Sequence, residues 1–211
     1  MFTGLIETIG TIRKFSRKGT YYSLMIEAEK ISGDLTIGQS VSVSGACLTV
    51  TRNDDRTFDA EIMNETFKRT WFGRSLTPNT RVNLERAMKL TDRLDGHLVL
   101  GHVDGVASLR EIRGTGTKEA VFIPEDKSLL SGIVSKGSVA IDGVSLTVID
   151  AGDFSFSVGL IPETLSATTL SSLKAGSFIN LETDILGKYI ARLTGHSKNN
   201  NNDEYLASLL S

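Results

Sequence analysis

The chain has 211 residues, of which 40% are hydrophobic and 23% charged, and its formal net charge is −2. This composition is typical of a globular protein with one large or two small domains. A net charge near zero, without a basic cluster, argues against nucleic acid or an anionic membrane as the main partner. Cys47 is the only cysteine and excludes an internal disulfide. With no signal peptide and no long apolar run, we expect a soluble cytoplasmic protein.

Short β-strands are the main predicted secondary structure. Apolar and polar residues alternate over 41–44 and again over 154–158, as they do in half-buried strands. Turn signals stand at Ser44-Gly45 and Asp142-Gly143. Each half of the chain is therefore expected to form several antiparallel strands that close into a small barrel.

The apolar positions change parity across Gly45 and across Gly143. Either a bulge or a tight turn at each glycine has this effect. Afterwards Cys47 and Thr49, or Ser145 and Thr147, share the face opposite the apolar one. A site on this face and a plain hairpin with a polar outer surface both fit the pattern.

The clearest helix lies near the end of the chain, over 185–193. Asp184 or Thr183 caps its start, and Gly195 ends it. A polar run over 198–203 and an amphipathic stretch over 204–210 follow. This tail either docks on a partner subunit or frays.

The chain is a tandem duplication with its seam near residue 97. Four pairs of segments match in the same order, at separations of 98 or 97 positions: VSVSGACLTV (41–50) with VAIDGVSLTV (139–148), MNETF (63–67) with IPETL (161–165), VNLE (82–85) with INLE (179–182), and TGLIE (3–7) with LGHVD (100–104). A period this long indicates two whole domains rather than a solenoid. We place their boundaries at 1–96 and 97–183, followed by a helix and tail at 184–211.

Two like domains that each bind one ligand should keep alike the residues that contact it, and chemistry is expected where they diverge. Four matched positions differ in chemical character: Leu5 against His102, Gly38 against Lys136, Cys47 against Ser145, and Ala87 against Asp184. Taken singly, each has an ordinary structural explanation. Together, beside matched motifs, they indicate a site.

Two of the three histidines, His97 and His102, stand close together around the seam. Their separation of five residues places the rings on opposite faces of a strand, and far apart around a helix. Zinc requires three or four ligands, and this chain has three His and one Cys in all. We therefore expect no metal site.

The motifs together resemble those of the riboflavin synthases of the alpha-chain type, from residue 1 to about 193. They are MFTG (1–4), SGACLTV (44–50), VNLERA (82–87), GHxxxGHVDG (96–105), KGSVxIDGVSLTV (136–148), LIPETL (160–165) and NLETD (180–184). The resemblance implies an all-β fold of two tandem, similar six-stranded Greek-key barrels plus a C-terminal helix. It also implies a homotrimer packed through those helices, and no cofactor. The implied reaction is a dismutation of two 6,7-dimethyl-8-ribityllumazine molecules to riboflavin and 5-amino-6-ribitylaminouracil.

The resemblance implies one lumazine per barrel, held by matched segments of each half. The expected contacts in the first barrel are Gly4, Leu5, Ile6, Cys47, Leu48, Thr49, Glu61, Ile62, Met63, Asn64, Glu65 and Thr66. Those in the second are Gly101, His102, Val103, Lys136, Ser145, Leu146, Thr147, Ile161, Pro162, Glu163, Thr164, Leu165 and Ser166. Extended main chain is expected to bind the pyrimidinedione edge.

Seven residues are implied in catalysis: Cys47, His102, Lys136, Ser145, Thr147, Asp184 and Ser40. His102 is the candidate for proton transfer because imidazole titrates near neutral pH. Cys47 is a candidate nucleophile or water-orienting group. The other five are candidates for polarising the ring or moving protons, and Phe2 is expected to pack against a ring.

Two residues depart from the family pattern: Leu100 stands where Ser is usual, and Asp95 stands where Gly is usual. Because Leu100 aligns with Thr3, we expect a polar contact to be lost in the second half.

A non-catalytic lumazine or flavin antenna protein is the alternative function. Association with a lumazine synthase shell, through the tail, is a third possibility.

Overall fold

The computed structural model describes residues 1–115 and 117–195. Within them, twelve strands form two closed antiparallel barrels. The first contains β1 (Thr8–Lys18), β2 (Tyr21–Glu27), β3 (Ser40–Val43), β4 (Ala46–Asn53), β5 (Thr57–Met63) and β6 (Arg81–Arg86). The second contains β7 (Gly105–Arg113), β8 (Lys118–Pro124), β9 (Ser138–Ile141), β10 (Val144–Ala151), β11 (Phe156–Leu160) and β12 (Phe178–Thr183).

Both barrels have the same strand order. Around the first it is β1-β2-β5-β4-β3-β6, and the second repeats this order with its own six strands. Within it, β6 returns beside β3 of the β3–β4–β5 meander, which is a Greek key. The predicted fold of two tandem six-stranded barrels is confirmed.

Short helices lie between the strands and at the end. They are α1 (Glu29–Ser32), α2 (Asn64–Arg69), α3 (Phe72–Ser75), α4 (Pro162–Ala167) and α5 (Ile185–Leu193), with 3-10 turns at Lys127–Gly132 and Thr169–Ser172. Asp184 caps α5, accepting a hydrogen bond of 2.9 Å from the Leu186 N–H, and Gly195 follows with φ +73°. The predicted helix is confirmed. The stretch predicted over 204–210 lies outside the described residues.

Each barrel encloses its own apolar core. Alternate residues of β4, such as Leu48 and Val50, point inward with the side chains of β2, β3 and β5. The second barrel repeats this arrangement around Phe122 and Phe156, whose ring centroids are 5.8 Å apart. The polar residues between these positions therefore lie on the outside of each barrel.

Two details of the strand prediction were wrong. The strand predicted over 154–158 begins at Phe156, and the Phe154 ring is exposed under the ammonium group of Lys127. Ser42 and Ser157, expected on polar outer faces, are buried, and their hydroxyls have no hydrogen-bond partner among the described residues. For Ser42 the reason is the other barrel, because its hydroxyl lies beside Gly143. Alternation identifies two faces of a strand but not whether another domain covers the outer one.

The parity change predicted at Gly45 and Gly143 comes from a tight turn. Val43 pairs directly with Ala46, leaving a two-residue loop, Ser44-Gly45, with φ values of +43° and +82°. Positive φ at both positions is what a type I′ hairpin requires. The loop Asp142-Gly143 has φ values of +46° and +78°. The bulges of these sheets lie further along, for example between Val50 and Arg52.

The two barrels pack around an approximate twofold axis that relates matched residues. The two hairpin turns meet on it: a Cβ on Gly45 would lie 2.8 Å from the Gly143 nitrogen, and one on Gly143 would lie 2.8 Å from the Gly45 nitrogen. Phe2 and Val99, which are matched positions, exchange two main-chain hydrogen bonds beside them. The interface is thus built from the same elements twice.

Two matched asparagines hold the barrels together. Asn83 donates from its side chain to the Asp142 carbonyl at 2.9 Å, and Asn180 donates to the Ser44 carbonyl at 2.8 Å. Their side-chain oxygens accept from the N–H groups of Thr169 and Trp71 respectively. Both side chains are buried, and the nitrogen and the oxygen of each amide have a hydrogen-bond partner, so the pair contributes specificity as well as stability.

Asp142 breaks this symmetry, because the matched residue is Ser44. Its carboxyl is buried and accepts from the Trp71 indole N–H and the Asn180 N–H, each at 2.8 Å. Burial raises the pKa of Asp142 to about 7, although these two hydrogen bonds oppose the rise.

We expect Gly45→Ala to destabilise the protein far more than Gly19→Ala. Both glycines have positive φ, but a Cβ at Gly19 meets nothing within 4 Å, whereas one at Gly45 would strike the main chain of the other barrel. The left-handed conformation alone costs about 1 kcal/mol, and the clash should bring the Gly45 variant to roughly 3 kcal/mol. Urea unfolding measures both. Equal losses would show that the turns do not need this close approach.

We expect the stability of the wild type to fall as pH rises from about 4 to about 7, in part because of Asp142. Its folded-state pKa is above the ordinary value of 3.8, so unfolding releases a proton in this range. Asp142→Asn removes that contribution. The free energy of unfolding of this variant, relative to that of the wild type, should therefore rise by on the order of 2 kcal/mol from pH 5 to pH 8. Urea unfolding at both pH values is the measurement, with exposed Asp150→Asn as control. A constant difference between Asp142→Asn and wild type would contradict this.

Candidate active site

The predicted polar residues of the first barrel form a row on its outer surface. Ser40 on β3 pairs with Thr49 on β4, and Thr49 pairs with Glu61 on β5. Cys47 stands two residues before Thr49 on the same face and is half-buried. Adjacent strands thus place these four side chains on one continuous surface.

The second barrel repeats this row with different chemistry. Ser145 and Thr147 on β10 share the outer face, and Thr147 pairs with Ser138 on β9. Lys136 precedes β9 with φ +66°, and its N–H donates to the Val148 carbonyl. Gly38 makes the same bond to Val50 in the first barrel. Lys136 therefore holds an exposed ammonium group at a left-handed position where the first barrel has only glycine.

Four predicted contact residues have side chains that face the barrel cores. They are Leu48, Ile62, Val103 and Leu146, and all are buried there. Only their main-chain groups are available to a ligand on the outer surface. Phe2 is also fully buried, in a cluster with Val99 and Ala140 against which Cys47 packs. The expectation that the Phe2 ring contacts a substrate is wrong, since the ring supports Cys47 from beneath.

The predicted assignment of two segments to their own barrels was also wrong. The Gly101 carbonyl accepts from the Cys47 N–H at 2.9 Å, so the segment 101–103 of the second half lies against the first barrel. The Gly4 carbonyl accepts from the Ser145 N–H at 2.8 Å, and Ile6 packs on the core of the second barrel. Each half therefore lends a segment to the other's outer face. Matched motifs could not reveal this, because a duplication looks the same whether segments stay or cross over.

Two buried glutamates hold the crossed segments in place. Glu85 accepts from the N–H groups of Thr3 and Gly4 at 2.6 and 3.0 Å. Glu182 accepts from the N–H groups of Leu100 and Gly101 at 2.7 and 2.9 Å. Burial raises the pKa of both carboxyls, and that of Glu182 reaches about 7.

The polar contact that Leu100 was expected to lose is indeed absent. The Thr3 hydroxyl donates to Glu85 at 2.7 Å, and the matched Leu100 has no hydroxyl to donate to Glu182. The missing contact is thus one that holds the crossed segment.

The crossing separates the predicted catalytic residues into two centres. The first contains Cys47, with His102 exposed in the segment that crosses to it. The second contains Ser145 and Thr147, and Asp184 lies half-buried at the start of α5. The main chain next to His102 therefore lies against the barrel that carries Cys47 rather than the one that carries Ser145.

His97 is a site residue that was missed. Its Nδ1 lies 2.7 Å from the Ser145 hydroxyl, and the ring is buried. Burial lowers its pKa, and the negative charge of Asp184 opposes this. It lies at the seam of the duplication, outside the matched segments, so comparison of the two halves could not single it out.

The segments after β5 and β11 are helical rather than extended as predicted. Residues 64–66 begin α2, and Pro162 starts α4 in the first helical turn, where proline is favoured. The residue before each helix, Met63 or Ile161, is apolar and exposed by 66% or 53%. These matched side chains offer an apolar surface at the edge of each site.

A cavity of about 660 Å³ lies beside the first barrel and includes Leu5 and Ser40 in its wall. The ion pair of Glu7 with Arg86 lines it, and so does Ala87, the counterpart of Asp184.

No cluster of side chains suited to hold a metal is present within 1–115 and 117–195. Over the same ranges, every helix is too short or too polar to cross a membrane.

A family model for the lumazine binding domain matches the chain twice, at residues 3–87 and 100–184. The riboflavin synthase of Actinobacillus pleuropneumoniae is 45% identical over 90% of this chain and 88% of its own length. That of Bacillus subtilis (strain 168) is 41% identical over 95% and 93%. The chain belongs to the riboflavin synthase family.

Solved structures of LumP are also similar to this member of the riboflavin synthase family. LumP complexed with 6,7-dimethyl-8-(1'-D-ribityl) lumazine has a TM-score of 0.76 at 25% identity, covering 87% of this chain and 99% of its own. LumP complexed with riboflavin has the same TM-score and coverage at 28% identity. The two matched domains correspond closely to the two barrels, so the duplication seen in the sequence is a duplication of lumazine-binding units.

Proposed function

We propose that this chain catalyses the riboflavin synthase reaction. Two molecules of 6,7-dimethyl-8-ribityllumazine react; one donates a four-carbon unit to the other, giving riboflavin and 5-amino-6-ribitylaminouracil. The observation that carries the proposal is a pair of matched outer sites that differ mainly in their reactive side chains. Two identical substrates with unequal roles need such a pair. Three relatives that are 40% to 45% identical to this chain are each called riboflavin synthase.

Proximity is the main contribution we assign to the barrels. Holding two rings in a reactive orientation supplies several kcal/mol, up to roughly 10, without a cofactor. The enzyme must then add a proton acceptor, a nucleophile or oriented water, and donors for developing negative charge. The two centres provide a thiol with an imidazole on one side, and hydroxyl, ammonium and carboxylate groups on the other.

We assign roles according to these centres. His102 transfers a proton and Cys47 acts as nucleophile or orients water, because the crossed segment brings them to the same barrel. Ser145, Thr147 and Lys136 polarise the second ring. Ser40 and Asp184 remain candidates for moving protons at the edges of the two sites.

The exposed face of α5 supports a homotrimer. Leu186, Tyr189, Ile190 and Leu193 follow the i, i+3, i+4, i+7 spacing and are between 58% and 64% exposed. Lys188, on another face, is bonded to Asp104 of the barrel at 2.7 Å. The helix is thus anchored by one side and presents the apolar stripe outward. We propose that α5 helices of other copies cover it, which would bring the outer sites of neighbouring barrels together.

A cytoplasmic location suits this function and the free thiol of Cys47. Association with a lumazine synthase shell remains a proposal. The tail expected to mediate it, residues 196–211, lies outside the described residues.

We expect the purified protein to convert 6,7-dimethyl-8-ribityllumazine to riboflavin with chelator present and no cofactor added. Absorbance and chromatography should show two lumazines consumed for each riboflavin formed, because one molecule is the donor and the other the acceptor. Binding of lumazine with a spectral change but no riboflavin would favour the antenna function instead.

Variants of three residues then test the two centres. Cys47→Ala, His102→Gln and Asp184→Asn should each lower kcat about 100-fold and change lumazine affinity little. Asn at position 184 keeps the helix cap, so a loss there reflects chemistry rather than folding. Exposed Lys174→Ala is the control. Wild-type turnover in any of the three removes that residue from the catalytic set.

Ile190→Glu should reduce the oligomer to smaller species, because a charge in the centre of the stripe cannot be buried without a partner. Light scattering after gel filtration measures the mass. Lys188→Ala is not a suitable control, since it loosens the helix; Arg192→Ala, on α5 but off the stripe, is preferable. A wild-type protein that is monomeric, or an unchanged mass for Ile190→Glu, would overturn the trimer proposal.

A further inference from the structure

The segment around His97 packs closely against Ser145. The His97 N–H donates to the Thr3 carbonyl at 3.2 Å, and its Nδ1 is 2.7 Å from the Ser145 hydroxyl oxygen. A Cβ on Gly96 would lie 2.0 Å from the Thr3 oxygen and 3.2 Å from the Ser145 hydroxyl. Glycine at 96 therefore allows an approach that any other residue would prevent. The imidazole is held in place by main-chain contacts rather than by the hydroxyl alone.

The surroundings of the ring determine which nitrogen carries the proton. His97 is only 9% exposed, and its Nε2 is buried with no hydrogen-bond partner among the described residues. A buried N–H without an acceptor is rarer and more costly than a buried lone pair without a donor. Burial lowers the pKa of His97, which favours the neutral ring with a single proton. That proton belongs on Nδ1, where it is donated to Ser145.

The direction of this bond fixes what Ser145 offers to a ligand. When its oxygen accepts from Nδ1, the hydroxyl proton points elsewhere, and Ser145 lies on the outer face that it shares with Thr147. In the first barrel the position that matches Ser145 is Cys47, which carries a thiol, a weak donor. The two sites therefore differ in donor strength at the same point.

We propose that His97 is a positioning residue that makes Ser145 a hydrogen-bond donor to the lumazine in the second barrel's site. This rests on the proposed function and deepens it. The donor stabilises negative charge as it develops on that ring, so it acts on turnover more than on binding. His97 touches Ser145 and not the reacting atoms. It does not remove the Ser145 proton.

Nitrogen NMR of the wild-type protein, with 15N-labelled histidine, tests the tautomer without any reaction. The assignment uses His97→Asn to identify the His97 signals. A protonated Nδ1 and an unprotonated Nε2 are expected. A protonated Nε2 would overturn the proposal, because Nδ1 would then accept a hydrogen bond from the Ser145 hydroxyl, which could not be donated to the lumazine.

Kinetics test the role with two matched variants. The carboxamide of His97→Asn lies near the position of Nδ1, and that of His97→Gln near the position of Nε2. We expect kcat to fall less than about three-fold in the first and about ten-fold in the second, with KM within about two-fold in both. Asp95→Ala, on the exposed part of the same connection, should keep wild-type kcat. A larger loss in His97→Asn than in His97→Gln would point to Nε2 chemistry, and equal losses would show no role for Nδ1; either result would overturn the proposal.

A double-mutant cycle shows whether His97 acts through Ser145. Ser145→Ala alone should lower kcat about ten-fold, yet lower it less than about two-fold in a His97→Gln background. Multiplicative losses would overturn the proposal. If the wild type forms no riboflavin at all, the proposed function fails, and the NMR result then decides the His97–Ser145 arrangement by itself. Melting temperatures identify any variant that loses activity by unfolding.

Discussion

Two main-chain hydrogen bonds across the pseudo-twofold axis determine much of this structure. They join Cys47 to Gly101 and Ser145 to Gly4, so each half of the chain completes the outer face of the other. Both glycines adopt the left-handed conformation, and a Cβ on either would collide with Ser145 or Cys47. Only glycine, which has no Cβ, allows the two main chains to approach this closely. Buried glutamates hold the crossed segments at matched positions. A barrel taken alone would have the strands of its site but not this segment.

This arrangement explains how a duplicated protein could acquire two unlike sites. The constraints of the interface act on the main chain and on a few buried groups, such as Asn83 and Asn180, which remain alike in both halves. Side chains on the outer surface are free of those constraints. The exchanges of Cys47 for Ser145 and of Gly38 for Lys136 both lie there, although the interface also differs at Ser44 and Asp142. For the proposed dismutation, the shared frame binds two equal substrates and the exchanged side chains give them unequal roles.

The interface between the barrels contains buried carboxyl groups that lower the stability of the protein at higher pH. Asp142 and Glu182 both have pKa values raised to about 7 by burial. Each carboxyl accepts two main-chain or indole donors that would otherwise be unsatisfied, and so each orients a segment near the axis. Groups of this kind stabilise one geometry at the expense of stability at higher pH. The position of the crossed segment at Cys47 thus depends on a carboxyl that titrates near neutrality.

The sequence by itself determined the duplication, the barrel fold, the change of strand parity at Gly45 and Gly143 and the capped final helix, because these depend on local spacing and periodicity. It also indicated Cys47, Lys136 and Ser145 as points of divergence, since comparison of the halves needs no structure. Only the tertiary structure decided that 4–6 and 101–103 cross over, that Ser42 is buried and that His97 contacts Ser145. These features depend on how one barrel is placed against the other. Contacts between residues far apart in the chain leave no periodic pattern within either half.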